Sequence, residues 1–381
     1  VGTQQRVEIL KTLYRGANIL VLDEPTAVLT PQEADELFVV LRKLTEKGKT
    51  IIFITHKLNE VMAISDNVTV MRLGKVTGRL PITETSPRQL ANMMVGREVL
   101  LRVEKKEKEA GEAVLAVSGL HVRDNRGLEA VKDISFTVHR GEILGIAGVA
   151  GNGQTELIEA IAGLRKKEKG KVELCSEDVT HAAPRDIREL GLSHIPEDRY
   201  KHGMVKEFPV YYNVLLGRHY LAPFSKNGFL RHKQVYERAK FLVNQFDVRP
   251  RSILMLAENL SGGNQQKMVV GREIDYHPKC MLVAQPTRGL DIGAIEYIHQ
   301  TLVGLRDAGV GILLVSMELE EIFSLSDRIL IIYEGEFTGE AKPADITLEE
   351  IGLAMAGTPL EEVRKAENEG SEKSGPTKVE S

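Results

Sequence analysis

The sequence predicts an α/β fold with a parallel sheet, built from two related units of which the first is incomplete. Three observations carry that expectation. Short apolar runs end in polar groups at Ile19 to Thr26 and at Ile51 to His56, the pattern of buried parallel strands that deliver functional groups to one sheet edge. The chain superimposes on itself with a shift of 261 positions, Gln4 falling on Gln265. A strand-like run, Gly141 to Ala147, leads into a glycine-rich loop and a helix start near Thr155, which makes a cradle for phosphate.

The first pair of runs places Asp23-Glu24 at one strand end and His56 at the next. Adjacent carboxylates at a strand end suit a magnesium-nucleotide site, one group near the metal and one near the attacking water. Asp23 also suits a plain helix cap, and the motif alone does not separate the two.

Size and composition limit the function classes. At 381 residues, with 42% hydrophobic and 27% charged residues, two ordinary cores are expected. A net charge of -4 and no tryptophan leave no basic footprint or stacking platform for nucleic acid. Cys175 and Cys280 stand far apart in no CxxC spacing, which points to ordinary thiols in a reducing compartment and to no metal site. No apolar run nears the roughly 20 residues of a membrane span, and Ile312 to Val315 is of strand length. No secretory signal stands at the start. A chain that is cytoplasmic, or peripheral to a membrane on its cytoplasmic face, is therefore expected.

The self-match is the most informative feature. It puts Glu24-Pro25-Thr26 on Gln285-Pro286-Thr287, His56 on Met317, Ser65-Asp66 on Ser326-Asp327 and Gly74 on Gly335, without a gap. Val1 to Gln5 falls on Gly262 to Gln266, so the first copy is expected to be cut inside a motif, lacking all that runs from near Ala113 to Ser261 in the second. The expected organisation is a first unit at 1–96, a solvated linker at 97–112 containing Val103 to Glu109, a second unit at 113–360, and a disordered tail at 361–381.

Within the second unit, Val114 to Phe136 alternates apolar and polar residues around a turn at Asn125-Arg126-Gly127, which predicts an antiparallel β-subdomain. The loop Gly148, Gly151, Gly153, Gln154, Thr155 has P-loop spacing with Gln154 in place of lysine. Glutamine donates a hydrogen bond to phosphate but brings no charge. Pro196-Glu197-Asp198-Arg199 follows, then a stretch with helical patterning at Lys233 to Phe246. Leu260, Ser261, Gly262, Gly263, Asn264 and Gln265 then open a helix whose N-terminus faces an anion, or is simply capped by the serine.

These residues resemble the ATP-binding cassette (ABC) family, the ATPase subunits of membrane transporters. Leu260 to Gln266 resembles the signature motif, with Ser261, Gly262, Gly263 and Gln265 toward ATP. Gly148 to Thr155 resembles the Walker A loop, Val21 to Thr26 the Walker B strand, and His56 the switch histidine. The Pro196 to Arg199 run and Ala284 to Asp291 resemble the tandem simple-sugar and nucleoside importers: ribose, galactose, xylose or purine-nucleoside uptake systems. The resemblance implies P-loop cassettes with a parallel-sheet core, an antiparallel β-subdomain and a helical subdomain.

It also implies two composite sites for ATP and Mg2+. One would use Asp23 for the metal, Glu24 and His56 for catalysis, and Ser261, Gly262 and Gly263 of the other copy. The second would use Gly148 to Thr155, Glu197, Ala284, Gln285 and Met317, where lysine, aspartate, catalytic carboxylate and histidine are all replaced. A general base is worth about 10² to 10⁴ in rate, so this second site is expected to bind ATP without turning it over. The 381-residue chain by itself is expected to hydrolyse ATP poorly.

The implied partners are two multi-pass permease subunits, docked through roughly Glu197 to Arg249, and an extracytoplasmic substrate-binding protein. Phe208, Tyr211 and Tyr212 suit either that contact or a core. Two alternatives stand beside this reading. A soluble tandem ABC protein of translation or DNA would be expected to keep both catalytic glutamates and a long basic linker. A non-hydrolysing nucleotide-binding regulator would have lost the first P-loop.

Overall fold

The run Ile19–Asp23 (β1) pairs in parallel with Thr50–Ile54 (β2), Ile19 opposite Thr50 and Asp23 opposite Ile54, with helix α1 (Pro31–Glu46) as the crossover. A parallel pair needs such a crossover because both strands run the same way. The structure, a computed structural model, describes residues 11, 17–26, 31–72, 74–98, 105–106 and 108–365. The segment Val1 to Gln5, expected to match the Gly262 segment, lies outside them. The described residues divide into two compact units, one drawn from 1–102 together with 289–296, the other from 103–288 and 297–381.

In the first unit, α2 (Leu58–Ile64) leads to a hairpin of β3 (Asn67–Arg72) and β4 (Lys75–Pro81), followed by α3 (Pro87–Val95). Ser86 Oγ accepts the Gln89 N–H, Pro87 opens the helix, and Gly96 ends it at φ +81°, the start and stop chemistry expected of those residues. One expectation needs correction. β1 is not buried on both faces: Leu20 and Leu22 are enclosed, but Ile19 and Val21 are 63% and 61% exposed. Among the described residues of this unit the parallel sheet has only two strands, too few to bring cover to both faces.

The second unit opens with the expected hairpin, β5 (Ala113–Arg123) and β6 (Glu129–His139), antiparallel around the Asn125 turn. β7 (Ile143–Ala147) then enters the core and α4 (Gln154–Ile161) leaves it. β8 (Lys167–Leu174) and β9 (Glu177–Asp178) complete a four-stranded antiparallel sheet in the order β6-β5-β8-β9. α5 (Pro184–Leu190) and β10 (Leu192–Ile195) lead to a helical lobe: α6 (Val210–Leu215), the small hairpin β11 (Ser225–Lys226) and β12 (Phe229–Leu230), α7 (His232–Gln245) and α8 (Gly262–Ile274). The chain returns through β13 (Cys280–Ala284), α9 (Ile292–Asp307), β14 (Gly311–Ser316), α10 (Leu319–Leu325), β15 (Arg328–Tyr333), β16 (Glu336–Ala341) and α11 (Leu348–Met355).

The main sheet has the order β10-β13-β14-β7-β15-β16, parallel except for β16. Every residue of β7, β13 and β14 is buried, as unbroken apolar runs in a sheet covered on both faces must be. Leu144, Ile146, Leu157, Leu282 and Leu313 share one core with the antiparallel sheet, while Val210, Leu242, Phe246 and Met268 form a separate core in the helical lobe.

The pairings of the two units coincide at the sequence shift. Ile19 opposite Thr50 recurs as Cys280 opposite Gly311, and Val68 opposite Leu80 as Ile329 opposite Ala341. The bulge after Val70 recurs after Ile331. Thr77 Oγ1 donates to Val70 O and Met93 O, and Thr338 Oγ1 to Ile331 O and Ala354 O.

Two further expectations are corrected. The lysines expected in a solvated linker are engaged: Lys105 Nζ lies 3.0 Å from Asp327 Oδ1 and Lys108 Nζ donates to Asp307 O at 2.9 Å. Arg306, 1% exposed, holds this region together. It donates to both carboxylate oxygens of Asp327, to Asp307 and to Lys106 O. The expected tail also starts too early, because 360–365 is helical, with Leu360 and Val363 buried and Arg364 Nε 3.1 Å from Glu350 Oε1. Charge-rich composition there reflects one exposed face of a packed turn; positions 366–381 lie outside the described residues.

Removing one member of a buried charge network leaves its partners uncompensated. Arg306→Ala is therefore expected to destabilise the second unit by about 3 kcal/mol, read as a lowered urea-unfolding midpoint of the chain.

Candidate functional site

In the first unit, Asp23 is the last residue of β1 and Glu24 follows at φ +44°. The left-handed region is costly for a residue with a Cβ, and here a backbone hydrogen bond from Glu24 N to Ile54 O at 2.8 Å fixes it. The turn carries the Glu24 side chain to His56, whose Nδ1 lies 2.8 Å from Glu24 Oε1. Below them Thr26 Oγ1 and Thr55 Oγ1 both donate to the buried Glu60 carboxylate. The expected pair of Glu24 and His56 is thus brought together, with Asp23 exposed at the strand end beside them.

In the second unit the carboxyl ends of β7, β10, β13 and β14 surround a cleft of ≈ 290 Å³, the edge where parallel α/β sheets bind ligands. Gly148, Gln154, Thr155, Glu197, Gln285 and Met317 all line it. The loop needs its glycines. A Cβ on Gly153 (φ +100°) would lie 2.1 Å from Ala130 O, and one on Gly148 would lie 2.6 Å from Ile332 Cγ2. Gly151, at φ +90°, faces open space.

Gln154, in the lysine position, folds back into its own loop. Its Nε2 donates to Val149 O at 3.0 Å and its Oε1 accepts the Asn152 N–H at 3.1 Å. The turn after β13 repeats that after β1 with altered chemistry. Gln285 stands at φ +48°, its N–H bonds Val315 O at 2.8 Å, and its Oε1 accepts the Met317 N–H at 3.4 Å. The Thr26–Glu60 bond recurs as Thr287 Oγ1 to Glu321 Oε1 at 3.0 Å. Ala284 is buried and offers no oxygen.

The signature segment is positioned as expected at the start of α8, with Ser261 as its N-cap residue. Ser261 makes no capping bond; its Oγ accepts from Asn264 Nδ2 at 2.8 Å. Gln265 corrects the sequence reading. It is 2% exposed, and its amide is held by Ala257 O and by Arg199. Its place in the helix turns it into the lobe, away from any ligand at the helix end.

Two arginines were missed. Arg288 Nη1 lies 3.0 Å from Glu197 Oε1, and Arg199 Nη1 donates to Arg288 O at 3.1 Å. Thr155 Oγ1 donates to the other Glu197 oxygen at 3.1 Å. The signal was present in the sequence as lone cations inside two motif runs that otherwise lack them. A shallower hollow of ≈ 560 Å³, lined by α3 residues such as Arg88 and Met93, holds none of the candidate groups.

A nucleotide with magnesium fits these residues. Gly151 faces open space at the cleft, and Thr155 Oγ1 and Glu197 Oε2 present hard oxygens 3.1 Å apart. Among the described residues no group of three or more His, Cys, Asp or Glu side chains could hold a metal ion.

The sequence profile of the family described as ABC transporter matches residues 131–288. Guanosine import ATP-binding protein NupO of Bacillus subtilis is 51% identical over 366 residues, which is 96% of this chain and 72% of that protein. The chain belongs to the ATP-binding subunits of ABC transporters. Nucleoside import ATP-binding protein NupA of Lactococcus lactis is 47% identical over 362 residues, covering 95% of this ABC subunit and 72% of the relative. Xylose import ATP-binding protein XylG of Moorella thermoacetica is 40% identical over 360 residues, 94% and 71% of the two chains. In fold, this ABC subunit matches a solved nucleotide-free ATP-binding cassette from an ABC transporter with a TM-score of 0.54, at 22% identity, over 66% of this chain and 99% of that one. ABC subunits of this kind are ATPases whose turnover is coupled to transport.

His194, at the end of β10, also lines the cleft. Its Nε2 is shut off from solvent without a partner, and burial pushes the imidazole down to about 4 from 6.5. Its folded value lies below its unfolded one, so the unfolded chain takes the proton first as the pH falls. The resulting stability is full above pH 6.5 and is lost between 6.5 and 4. From pH 7 to pH 5 it amounts to about 2 kcal/mol. His194→Phe should remove that slope, measured as urea-unfolding free energies at the two pH values.

Proposed function

We propose that this ABC subunit drives import of nucleosides or simple sugars through one hydrolytic ATP site, while a second, altered site binds ATP without turnover. The single observation that carries the asymmetry is the 2.8 Å pair of His56 Nδ1 and Glu24 Oε1, against an amide and a thioether at Gln285 and Met317. In this reading Glu24 accepts a proton from the attacking water and His56 orients that carboxylate. A carboxamide has no basic oxygen with which to do the same. The chain on this view carries two cassette copies, the first incomplete over these 381 residues, which the recurring strand registers support.

ATP would sit on the loop Gly148, Gly151, Gly153, Gln154 and Thr155 in the altered site. Mg2+ would be held by Asp23 in the first set and by Thr155 and Glu197 in the second. When bound, it neutralises charge on the phosphate oxygens.

The names of the relatives support the solute class: guanosine, nucleoside, glucose and xylose importers among them. They also favour an importer over a soluble tandem protein. The proposed partners are membrane permease subunits and, through them, a substrate-binding protein outside the membrane, with this chain peripheral on the cytoplasmic face. No described helix is long and apolar enough to cross a membrane. Of the aromatics considered for docking, Tyr211 packs against Tyr212 and Tyr236 inside the lobe, and Phe208 is the exposed one.

In the complete transporter, Glu24→Gln is expected to lower steady-state ATP hydrolysis by about 10²-fold or more. Gln285→Glu in that background should restore little, because Met317 cannot orient a carboxylate. Near-normal phosphate release from the Glu24→Gln transporter would sink the assignment. Vesicles holding the unaltered transporter and supplied with ATP should take up a nucleoside or a simple sugar; transport of neither would defeat the solute class.

A further inference from the structure

The altered cleft has lost the cation of its phosphate loop, and a triphosphate cannot be held by neutral donors as well as by charged ones. Gln154 does not fill that role, because both ends of its amide are bonded within the loop, to Val149 O and the Asn152 N–H. The cleft nevertheless contains positive groups: Lys201 and Arg288 line it. Only Arg288 is tied to the phosphate loop. Its Nη1 lies 3.0 Å from Glu197 Oε1, and the other oxygen of that carboxylate accepts from Thr155 Oγ1 at 3.1 Å. The guanidinium is therefore one carboxylate away from the loop's hydroxyl. Its backbone is anchored as well, since Arg288 O accepts from Arg199 Nη1 at 3.1 Å.

From this geometry we infer that Arg288 is the phosphate-binding cation of the altered site, standing in for the missing lysine and selecting nucleoside triphosphate over diphosphate. The inference rests on the reading that Gly148 to Thr155 cradle a nucleotide. Glu197 and Arg288 form a pair of opposite charges in direct contact at 3.0 Å, which a cation and a phosphate would part. A bound cation takes the carboxylate and the terminal phosphate takes the guanidinium, so both partners stay compensated. Arginine suits the task because its planar fork bonds two phosphate oxygens at once. The sequence shift supports the assignment: position 288 corresponds to Ala27, so the arginine belongs to the turn after the strand that ends in Ala284 and Gln285 and not to the turn that keeps Asp23 and Glu24. Its side chain is 48% exposed on the cleft wall, open to a ligand yet held by its partner.

The test measures equilibrium binding of fluorescent ribose-labelled ATP and ADP, each with magnesium, to the 381-residue chain and its variants. Arg288→Ala and Arg288→Gln are expected to weaken ATP binding by roughly tenfold, the size of one charge-assisted hydrogen bond, while ADP binding changes less than about twofold. Arg288→Lys should recover part of the ATP affinity, because it restores charge without the fork. Retained ADP binding shows that the variants are folded. Equal losses for ATP and ADP would overturn the inference, making Arg288 a strut for Glu197, and unchanged ATP affinity in Arg288→Ala would overturn it as well. Failure of the unaltered chain to bind either nucleotide would instead remove the reading of the loop as a cradle, and the inference with it.

Discussion

A hydrogen bond between main-chain atoms governs the chemistry at both strand ends. Glu24 N–H reaches Ile54 O, and Gln285 N–H reaches Val315 O, each at 2.8 Å. Each bond holds a residue with a side chain in the left-handed region, at φ +44° and +48°, a conformation that costs on the order of 1–3 kcal/mol. The turn so fixed projects the side chain toward the end of the next strand, where His56 or Met317 stands. Without that bond the carboxylate of Glu24 would relax away from His56, and the strand end would be no more than a cap for the helix that follows.

Around this turn the second unit arranges opposite charges in pairs instead of isolated groups. Glu197 lies between Thr155 and Arg288, and Arg306 among Asp327, Asp307 and Lys106 O. Arg188, Arg272 and the buried Glu273 form another such set. The last two sets centre on buried groups, Arg306 and Glu273 each at 1% exposure, and serve the fold. The first borders an open cleft and so is available to a ligand.

Much of this was legible in the sequence because it depends on backbone periodicity. Apolar runs of five and six residues became β7, β13 and β14, and the shift of 261 reproduced strand register down to the bulge after Val70 and Ile331. Glycines at 148, 151 and 153 declared the loop, since few other residues tolerate its angles and contacts. What the sequence did not disclose depends on which way a side chain turns. Gln265 reads as part of a binding motif, but the helix directs it inward. Lys105 and Lys108 read as solvated, but meet carbonyls and an aspartate from another stretch of chain. β1 reads as doubly buried, but Ile19 and Val21 are exposed on its second face. Arg288 is a lone cation in sequence and acquires meaning only through Glu197, 91 positions away.

The strained turn at Gln285 has a consequence for how such a site changes over time. Glutamate and glutamine have the same shape, so exchanging one for the other leaves the main chain, its angle and its hydrogen bond as they were. A catalytic pocket can therefore fall silent in a single step while its architecture, and whatever mechanical role that architecture serves, passes on intact. The way back is longer. On the proposed function a regained carboxylate finds Met317, Ala284 and Gln154 where a histidine, an oxygen and a charge would serve catalysis, so the path is a ratchet that turns easily in one direction.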